Sequence, residues 1–596
     1  MAKRMDTMAL ACGSECLERL HNRIDMVGIP FTDRGSRLLV FLRGNELSVR
    51  LAERWVKWES EYGHYRQRVP IIERFQIMGE DGSPLDCTAD TYPHVAHVHT
   101  ERGAFSFTFI DPETLAVRLP VGEYGIEFTV QASDARADRR GGTLHGKRNV
   151  AYTTSAIIVR NEVVSEGTDR WRVRLKLRAA EGMPFLLNIT PRLAFNRSLP
   201  DPSAAIEEAR ARWQAWYDAV PDVLDEYRDQ YLYAWWVMRS GLMNTRYFFT
   251  REAMTPSKIH YVGVWHWDQF FHALAYRHVD SKLAEDQLRI VLDHQRADGM
   301  LPDAIYDEGL VTHLEKPVSA DVTKPPLAAW IALKLYETSG HLDFLNEVYD
   351  ALIRWHDWWL RDNADEATGL CIYRHPFSSG LDDSPLWDEG MPVVAPDLNT
   401  YLSVGSECLA QIAELIGEHE DVERLRQRAD RIAERMVEHL WSESRGLFEA
   451  LHEGQPVDVT TVFNLLPLAT GRLPPEIVER LLANLTDPGA FWTAYPLATV
   501  SLRDDKFDPL QMWRGPSWVN INYLFVEALF RVGQPDLARR LRRETLAMIQ
   551  RHTDIYEYYN PLTGERPPKA APIFGWTSAV FIDFALQETR DRTSGG

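Results

Sequence analysis

Cysteine, net positive charge and long apolar runs are all scarce in this sequence. Five cysteines (Cys12, Cys16, Cys87, Cys371 and Cys408) in 596 residues are too few, and odd in number, for a disulfide scaffold, so free thiols and a reducing, cytoplasmic setting are expected. Cys12 and Cys16 are separated by three residues and no second pair follows, which leaves a metal or redox pair unsupported. Acids outnumber Lys and Arg by 86 to 66, for a net charge of −20. Such a surface repels a phosphate backbone and an anionic membrane, which argues against both as partners. At cellular salt the same charge is well screened and excludes no homo-oligomer. No stretch of 18 apolar residues occurs, so no bilayer-spanning helix is expected. The run Met8-Ala9-Leu10-Ala11 after Lys3 and Arg4 is too short for a secretory signal core.

What is present, 45% apolar and 26% charged residues, is the mixture of an ordinary globular chain, and the length predicts roughly two to four domains. Residues 36–195 contain short strand-like runs such as Arg37-Leu38-Leu39-Val40-Phe41-Leu42, Ala104-Phe105-Ser106-Phe107-Thr108-Phe109 and Arg170-Trp171-Arg172-Val173-Arg174-Leu175-Lys176-Leu177. Gly82-Ser83-Pro84, Pro120-Val121-Gly122, Gly141-Gly142 and Glu166-Gly167 punctuate them. A period of two between such turns predicts an antiparallel β-sandwich over residues 1–203. Beyond the turn-rich Ser198-Leu199-Pro200-Asp201-Pro202-Ser203, the residues Ile206, Ala209, Trp213 and Trp216 step by three or four. Helices are then expected near 226–243, 265–278, 281–296, 326–338, 343–361, 401–416, 420–441, 475–484, 516–532, 535–550 and 576–587. Strand-rich sequence followed by helix-rich sequence predicts an α+β multidomain chain with segregated domains, and residues 204–596 suit a closed ring of helical hairpins. The long connections 297–325 and 370–399 are uncommon in a compact bundle unless they carry function.

Aromatic residues make up 11% of the chain, with 19 tryptophans, and in three places they sit beside acids. In Tyr261-Val262-Gly263-Val264-Trp265-His266-Trp267-Asp268-Gln269-Phe270-Phe271-His272, a helical start puts Trp265, Asp268 and Phe271 or His272 on one face. An acid among rings can hold sugar hydroxyls while the rings cover the apolar sugar face. In Ser379-Gly380-Leu381-Asp382-Asp383-Ser384-Pro385-Leu386-Trp387-Asp388-Glu389, four acids fall within eight positions, and crowded carboxylates raise one another's pKa, as a general acid requires. In Ile555-Tyr556-Glu557-Tyr558-Tyr559-Asn560-Pro561, Glu557 lies among three tyrosines whose hydroxyls are candidates to orient it. Glycoside hydrolysis by the usual route needs two carboxyl groups, and Glu557 supplies the second. Spacing alone does not pair residues so far apart.

Four segments in order, Trp265-His266-Trp267-Asp268-Gln269-Phe270-Phe271-His272, Ser379-Gly380-Leu381-Asp382-Asp383-Ser384-Pro385, Trp513-Arg514-Gly515-Pro516-Ser517-Trp518 with Asn522-Tyr523-Leu524, and Glu557-Tyr558-Tyr559-Asn560-Pro561-Leu562-Thr563-Gly564, resemble glycoside hydrolase family 63 over roughly residues 230–590. That family includes processing α-glucosidase I, bacterial α-glucosidases and the mannosylglycerate and glucosylglycerate hydrolases; more distantly the pattern is similar to trehalase. The resemblance implies an (α/α)6 barrel after the β domain and an inverting, exo-acting α-glycosidase, an α-glucosidase acting on a small glucoside or oligosaccharide. It places Asp382 as general acid and Glu557 as general base. Trp265, Trp267, Asp268 and Phe271 take the positions that line the non-reducing sugar subsite, with Gly380 and Tyr558 beside the two carboxyls, and Trp513, Arg514 and Trp518 the opposite wall. Arg514 is a candidate to bind a sugar hydroxyl or to steady a carboxylate; the plainer reading is an arginine before Gly-Pro that caps neighbouring carbonyls.

One departure concerns specificity. Thr323-Lys324-Pro325-Pro326 has lysine where relatives often carry glutamine, so Lys324 is a candidate contact to the sugar or, with Arg374 or His375, to an anionic aglycone such as glycerate; a surface lysine is the plainer reading. Hydrolases of glucosylglycerate or mannosylglycerate are therefore an alternative, as is a carbohydrate-binding protein without turnover. A phosphorylase would need no base, and Glu557 speaks against it. His94, His97 and His99 suggest a metal, but their nearest acids, Asp90 and Glu101, fall outside the run. No metal and no cofactor is assigned.

Overall fold

Alternation on the strand Arg170–Ala179 sends Val173, Leu175 and Leu177 inward and the intervening basic residues outward, and this pattern recurs through the N-terminal part of the chain. The computed structural model describes residues 15–54, 58–59, 64–65 and 69–594. Within that span one compact unit runs to Asp222 and takes in Arg239–Asn244, and a second comprises Val223–Met238 and the chain from Thr245 onward.

The first unit holds a six-stranded and an eight-stranded sheet. Every pairing between neighbours in both sheets is antiparallel. Their apolar faces meet through rings: Phe75 of the smaller sheet touches Phe107 and Phe185 of the larger, and Phe128 touches Tyr152. The helix Pro202–Asp218 starts on an Asp201 cap with proline in its first turn, a strong start signal. It belongs to this unit rather than to the helical one, because it packs on the strand Gly103–Asp111 and Arg212 donates to the Phe109 carbonyl at 2.7 Å. The unit thus extends past the expected division at residue 203.

Cys16 is disulfide-bonded, contrary to the expectation of free thiols, since scarcity over a whole chain does not forbid a single bond. Cys12 lies outside the described residues, and Cys87, Cys371 and Cys408 are free. The three histidines do not converge. His97 Nδ1 pairs with the Ser106 hydroxyl, His94 is buried, and His99 faces Asp90. Among the described residues no group of three or more His, Cys, Asp or Glu side chains is arranged to hold a metal, and no helix is long and apolar enough to cross a membrane.

In the second unit six segments pack in a closed cycle. His266–Tyr276 lies on Ala328–Ser339, followed by Pro396–Ile416, Val462–Thr470, Val519–Arg531 and Gly575–Ser594, which returns to His266–Tyr276. Five helices flank the cycle from outside, each packed on the segment that precedes it in sequence: Ser281–Leu292, Leu342–Asp362, His419–Leu440, Pro475–Leu485 and Pro535–Gln550. A sixth, Asp225–Ser240, reaches the last segment where Tyr227 meets Phe581. Side-chain character separates the two sets. Every residue of His266–Tyr276 is buried, whereas His419–Leu440 buries only the stripe Leu425, Ala429, Ile432, Ala433, Met436 and Leu440, as expected of an outer helix. The expected helices are present with small shifts at their ends. Val462–Thr470 is the exception, a 3₁₀ segment with Pro467 inside it, whose apolar run lacks the 3.6 period that betrays a helix.

Candidate active site

The singled-out residues lie where the chain enters segments of the inner cycle. Asp268 is in the first turn of His266–Tyr276, Lys324 precedes Ala328–Ser339, Asp382 precedes Pro396–Ile416, 513–518 leads into Val519–Arg531, and Glu557 precedes Gly575–Ser594. These connections converge, and the carboxyls among them act on one another electrostatically.

The acid loop is built by local hydrogen bonds. Pro376–Ser379 forms a 3₁₀ turn that ends at Gly380, φ 74°, a conformation that favours glycine. A side chain there is also excluded sterically, because a Cβ would lie 2.4 Å from the Trp267 ring. The Ser379 hydroxyl donates to the Pro376 carbonyl and accepts from the Leu381 N–H at 2.9 Å, and the Trp387 indole N–H donates to the Leu381 carbonyl at 2.7 Å. Asp382 is thereby held with Oδ1 sealed and accepting no hydrogen bond, while 36% of its side chain stays open to solvent. This is a carboxyl at the floor of a recess. Burial pushes it up to about 7, with Asp303 and Asp383 adding to the rise and Lys324 opposing it. The four acids of the loop divide: Asp383 accepts the Trp513 N–H at 2.8 Å, whereas Asp388 takes both ends of the Arg514 guanidinium at 2.9 and 2.7 Å. Arg514 thus holds the Asp388 carboxylate and also donates to the Asp383 carbonyl at 3.2 Å.

Lys324 is 4% exposed, which overturns the surface reading. Its ammonium lies 2.9 Å from Asp303 Oδ1, off the direction of a hydrogen bond, and 3.8 Å from Asp382 Oδ1, and it donates to the Phe377 carbonyl at 2.6 Å. Burial works against its charge, but Asp303, Asp382 and Asp268 together hold its pKa above the ordinary lysine value. Asp268 is buried and its carboxyl is pushed well up by burial and by Glu557, against the pull of Lys324. Arg374 and His375 do not join Lys324 as an anion clamp: Arg374 donates to the Asp362 carbonyl and His375 pairs with the Lys316 carbonyl.

Glu557 is 3% exposed. Its backbone N–H donates to the Ala571 carbonyl at 2.9 Å, and its Oε2 accepts the Ala571 N–H at 3.0 Å. Ser517 and Tyr559 exchange backbone hydrogen bonds at 2.8 and 3.0 Å on the other side, so the segment is anchored on both flanks. Burial raises its carboxyl to about 8; the Ala571 N–H and the Tyr261 hydroxyl oppose the rise, and the charge of Asp382 adds to it. The hydroxyl that reaches Glu557 belongs to Tyr261. The neighbouring Tyr559 instead accepts the Tyr556 N–H at 3.1 Å, so adjacency in sequence points to the wrong tyrosine.

The aromatic residues form one connected wall. Trp513 and Trp518 stack at 3.7 Å with 4° between planes, Tyr558 lies 4.7 Å from Trp518, and Trp576 stands edge-on to Trp267 at 5.2 Å. Trp267, Phe271, Trp513, Trp518 and Tyr558 are all buried and support the recess, whereas Trp265 is half-buried, edge-on to Tyr306 at 5.5 Å. Sequence reasoning missed Asp303 and Tyr306. Asp303 adjoins the strand Ala304–Tyr306, which pairs with Val264–Trp265, and no motif marks it. The neighbouring acid–aromatic signal would have found Tyr261, already inside the first cluster.

Residues 261–577, just over half of the chain, match the mannosylglycerate hydrolase MGH1-like glycoside hydrolase domain. A mannosylglycerate hydrolase of Rubrobacter radiotolerans is 25% identical over 422 residues, 57% of this chain and 94% of that protein. The crystal structure of the GH63 mannosylglycerate hydrolase from Thermus thermophilus in complex with glucose is 24% identical, with a TM-score of 0.51 over 59% of this chain and 98% of that one. A bacterial glucoamylase complexed with acarbose, only 11% identical, has a TM-score of 0.56 and covers 94% of each chain, a likeness of fold that spans both units. With its domain match, its relatives and a recess that carries two perturbed carboxyls, the chain belongs to glycoside hydrolase family 63 as an enzyme of the mannosylglycerate hydrolase MGH1-like group.

Proposed function

We propose that the protein is an inverting, exo-acting α-glycosidase of small substrates, with Asp382 as general acid and Glu557 as general base. The observation that carries this reading is the pair of carboxyls, delivered by connections far apart in sequence, both raised well above the ordinary carboxylate range, with the charge of Asp382 acting on Glu557. Ionising one makes the other harder to ionise, so near neutrality the pair retains a proton as a unit. Glu557 accepts the Ala571 N–H and the Tyr261 hydroxyl, bonds that favour its ionised form, while Asp382 Oδ1 accepts none. In the form of the pair that reacts, the proton is on Asp382, which delivers it to the glycosidic oxygen while ionised Glu557 takes one from the attacking water. Single displacement inverts the anomeric centre and calls for carboxyls about 6.5–9.5 Å apart. The second unit is read as an (α/α)6 barrel and the facing sheets as a β-sandwich, which the likeness to the glucoamylase supports.

An α-glucoside is the first substrate class; glycosides of glycerate are the second reading, favoured by the mannosylglycerate hydrolase among the relatives. Because Lys324 is enclosed by carboxylates, recognition of a glycerate carboxylate would fall to other groups. Proton NMR of the nascent sugar, with trehalose, kojibiose, nigerose, glucosylglycerate and mannosylglycerate as substrates, tests both. Early β-anomer from one of them is the expected result and names sugar and aglycone together. Early α-anomer, or no release from the whole panel, overturns the reading.

A further inference from the structure

Lys324 is a charged group that general acid and base chemistry does not require. Its ammonium has three N–H bonds and three oxygens around it: Phe377 O at 2.6 Å, Asp303 Oδ1 at 2.9 Å and Asp382 Oδ1 at 3.8 Å. Phe377 belongs to the 3₁₀ turn that ends at Gly380, two residues before the acid. The adjacent Thr323 N–H donates to the Ser378 hydroxyl at 3.2 Å, so the lysine segment grips the same turn twice. Asp303 comes from the other side, next to the strand that pairs with Val264–Trp265. A buried ammonium is costly unless carboxylates surround it, and here they do. An amide in this position could still donate to the Phe377 carbonyl, but it would bring no charge to Asp382.

Resting on the assignment of Asp382 as acid, we propose that Lys324 is a positioning residue whose ammonium, held between Asp303 and the Phe377 carbonyl, fixes the acid loop and sets the pH range over which Asp382 keeps its proton. The two neighbours act in opposite senses. The cation of Lys324 favours the ionised acid, and the anion of Asp303 disfavours it. A cation within about 4–6 Å lowers a carboxyl by about 1–3 pH units. The other groups that face this cluster are Asp268 toward Lys324, and Asp383 and Glu557 toward Asp382. His266 is pushed down to about 3 by burial and His375 is also lowered by burial, so burial disfavours a positive charge on either.

The test is the pH profile of kcat/KM for Lys324→Gln, Asp303→Asn and the double variant, on the substrate that the NMR panel identifies. Lys324→Gln moves the basic limb up by about one pH unit or more, Asp303→Asn moves it down, and the double variant falls between the two. Limbs that stay in place while the rate drops equally at every pH reduce Lys324 to a structural residue and overturn the proposal. If Lys324→Gln fails to fold, the direction of the Asp303→Asn shift decides alone. Asp382→Asn, assayed on the glycoside and on the matching glycosyl fluoride, separates the two levels. Equal losses on both, or a wild-type protein that turns over nothing, overturn the acid assignment and this proposal with it. A selective loss on the glycoside with unmoved limbs overturns this proposal only.

Discussion

The outer face of the six-stranded sheet and the recess of the helical unit are built from the same side chains to opposite ends. On the sheet, Glu123 and Glu127 of the strand Gly122–Gln131 stand opposite Arg178 and Arg174 of Arg170–Ala179. Lys176 lies 3.0 Å from Glu123 and Arg172 3.3 Å from Glu127. These pairs alternate with apolar side chains and remain in contact with water, where an ion pair contributes little. In the recess, one buried lysine serves three aspartates, and the charges of Asp382 and Arg566 act in opposite senses on a buried glutamate beside them. Water levels the charges of the first region, whereas burial in the second turns them into a proton reservoir.

Substituting in the recess should break this contrast most severely. Asp382→Asn and Glu557→Gln should each lower turnover of an α-glycoside by about 10²- to 10⁴-fold, measured as initial rate, with Asp382→Asn recovering much of the loss on a glycosyl fluoride that needs no proton. Gly380→Ala comes next: the left-handed φ and the approach to Trp267 should together cost about 2–3 kcal/mol of stability and displace the acid, read as a lower Tm and a lower kcat. Opposite in sign is the effect of Glu557→Gln on folding. The folded carboxyl is raised to about 8 from an ordinary value near 4.5, so between those values the native chain holds a proton that the unfolded chain has released. Stability therefore falls as pH rises through that window. Denaturant titration should find Glu557→Gln more stable than wild type at pH 8, by on the order of a few kcal/mol, and the advantage should vanish near pH 4. Least of all, Arg174→Ala on the sheet should shift Tm by no more than about 1 °C and leave kcat/KM unchanged. A large effect there would mean that the two regions are not as different as their burial implies.

The division into strands and helices was legible because side-chain periodicity survives in single segments: Arg170–Ala179 alternates, and His419–Leu440 carries one apolar stripe. Val462–Thr470, a 3₁₀ segment with Pro467 inside it, has no such period and went unread. At the site, Asp382 and Glu557 stood out because unusual residues crowd around them. Asp303 did not, since an isolated aspartate next to a short strand looks like any other. The burial of Lys324 was hidden for a related reason. A lysine is ordinarily solvated, and only the three-dimensional meeting of Asp303, Asp382 and the Phe377 carbonyl makes an interior position tolerable. The hydroxyl on Glu557 was misread because proximity in sequence stood in for proximity in space.

The closure of the inner cycle, with Gly575–Ser594 packed back on His266–Tyr276, also orders events during biosynthesis. A ribosome delivers Asp268, Lys324 and Asp382 first, Trp513 and Trp518 later, and Glu557 and Trp576 last. Between the synthesis of Asp382 and that of Glu557, 175 residues later, the nascent chain holds the proposed acid without the proposed base. On the proposed assignment, hydrolytic competence arrives as a late, single step, when the final segment of the cycle emerges and docks against the first.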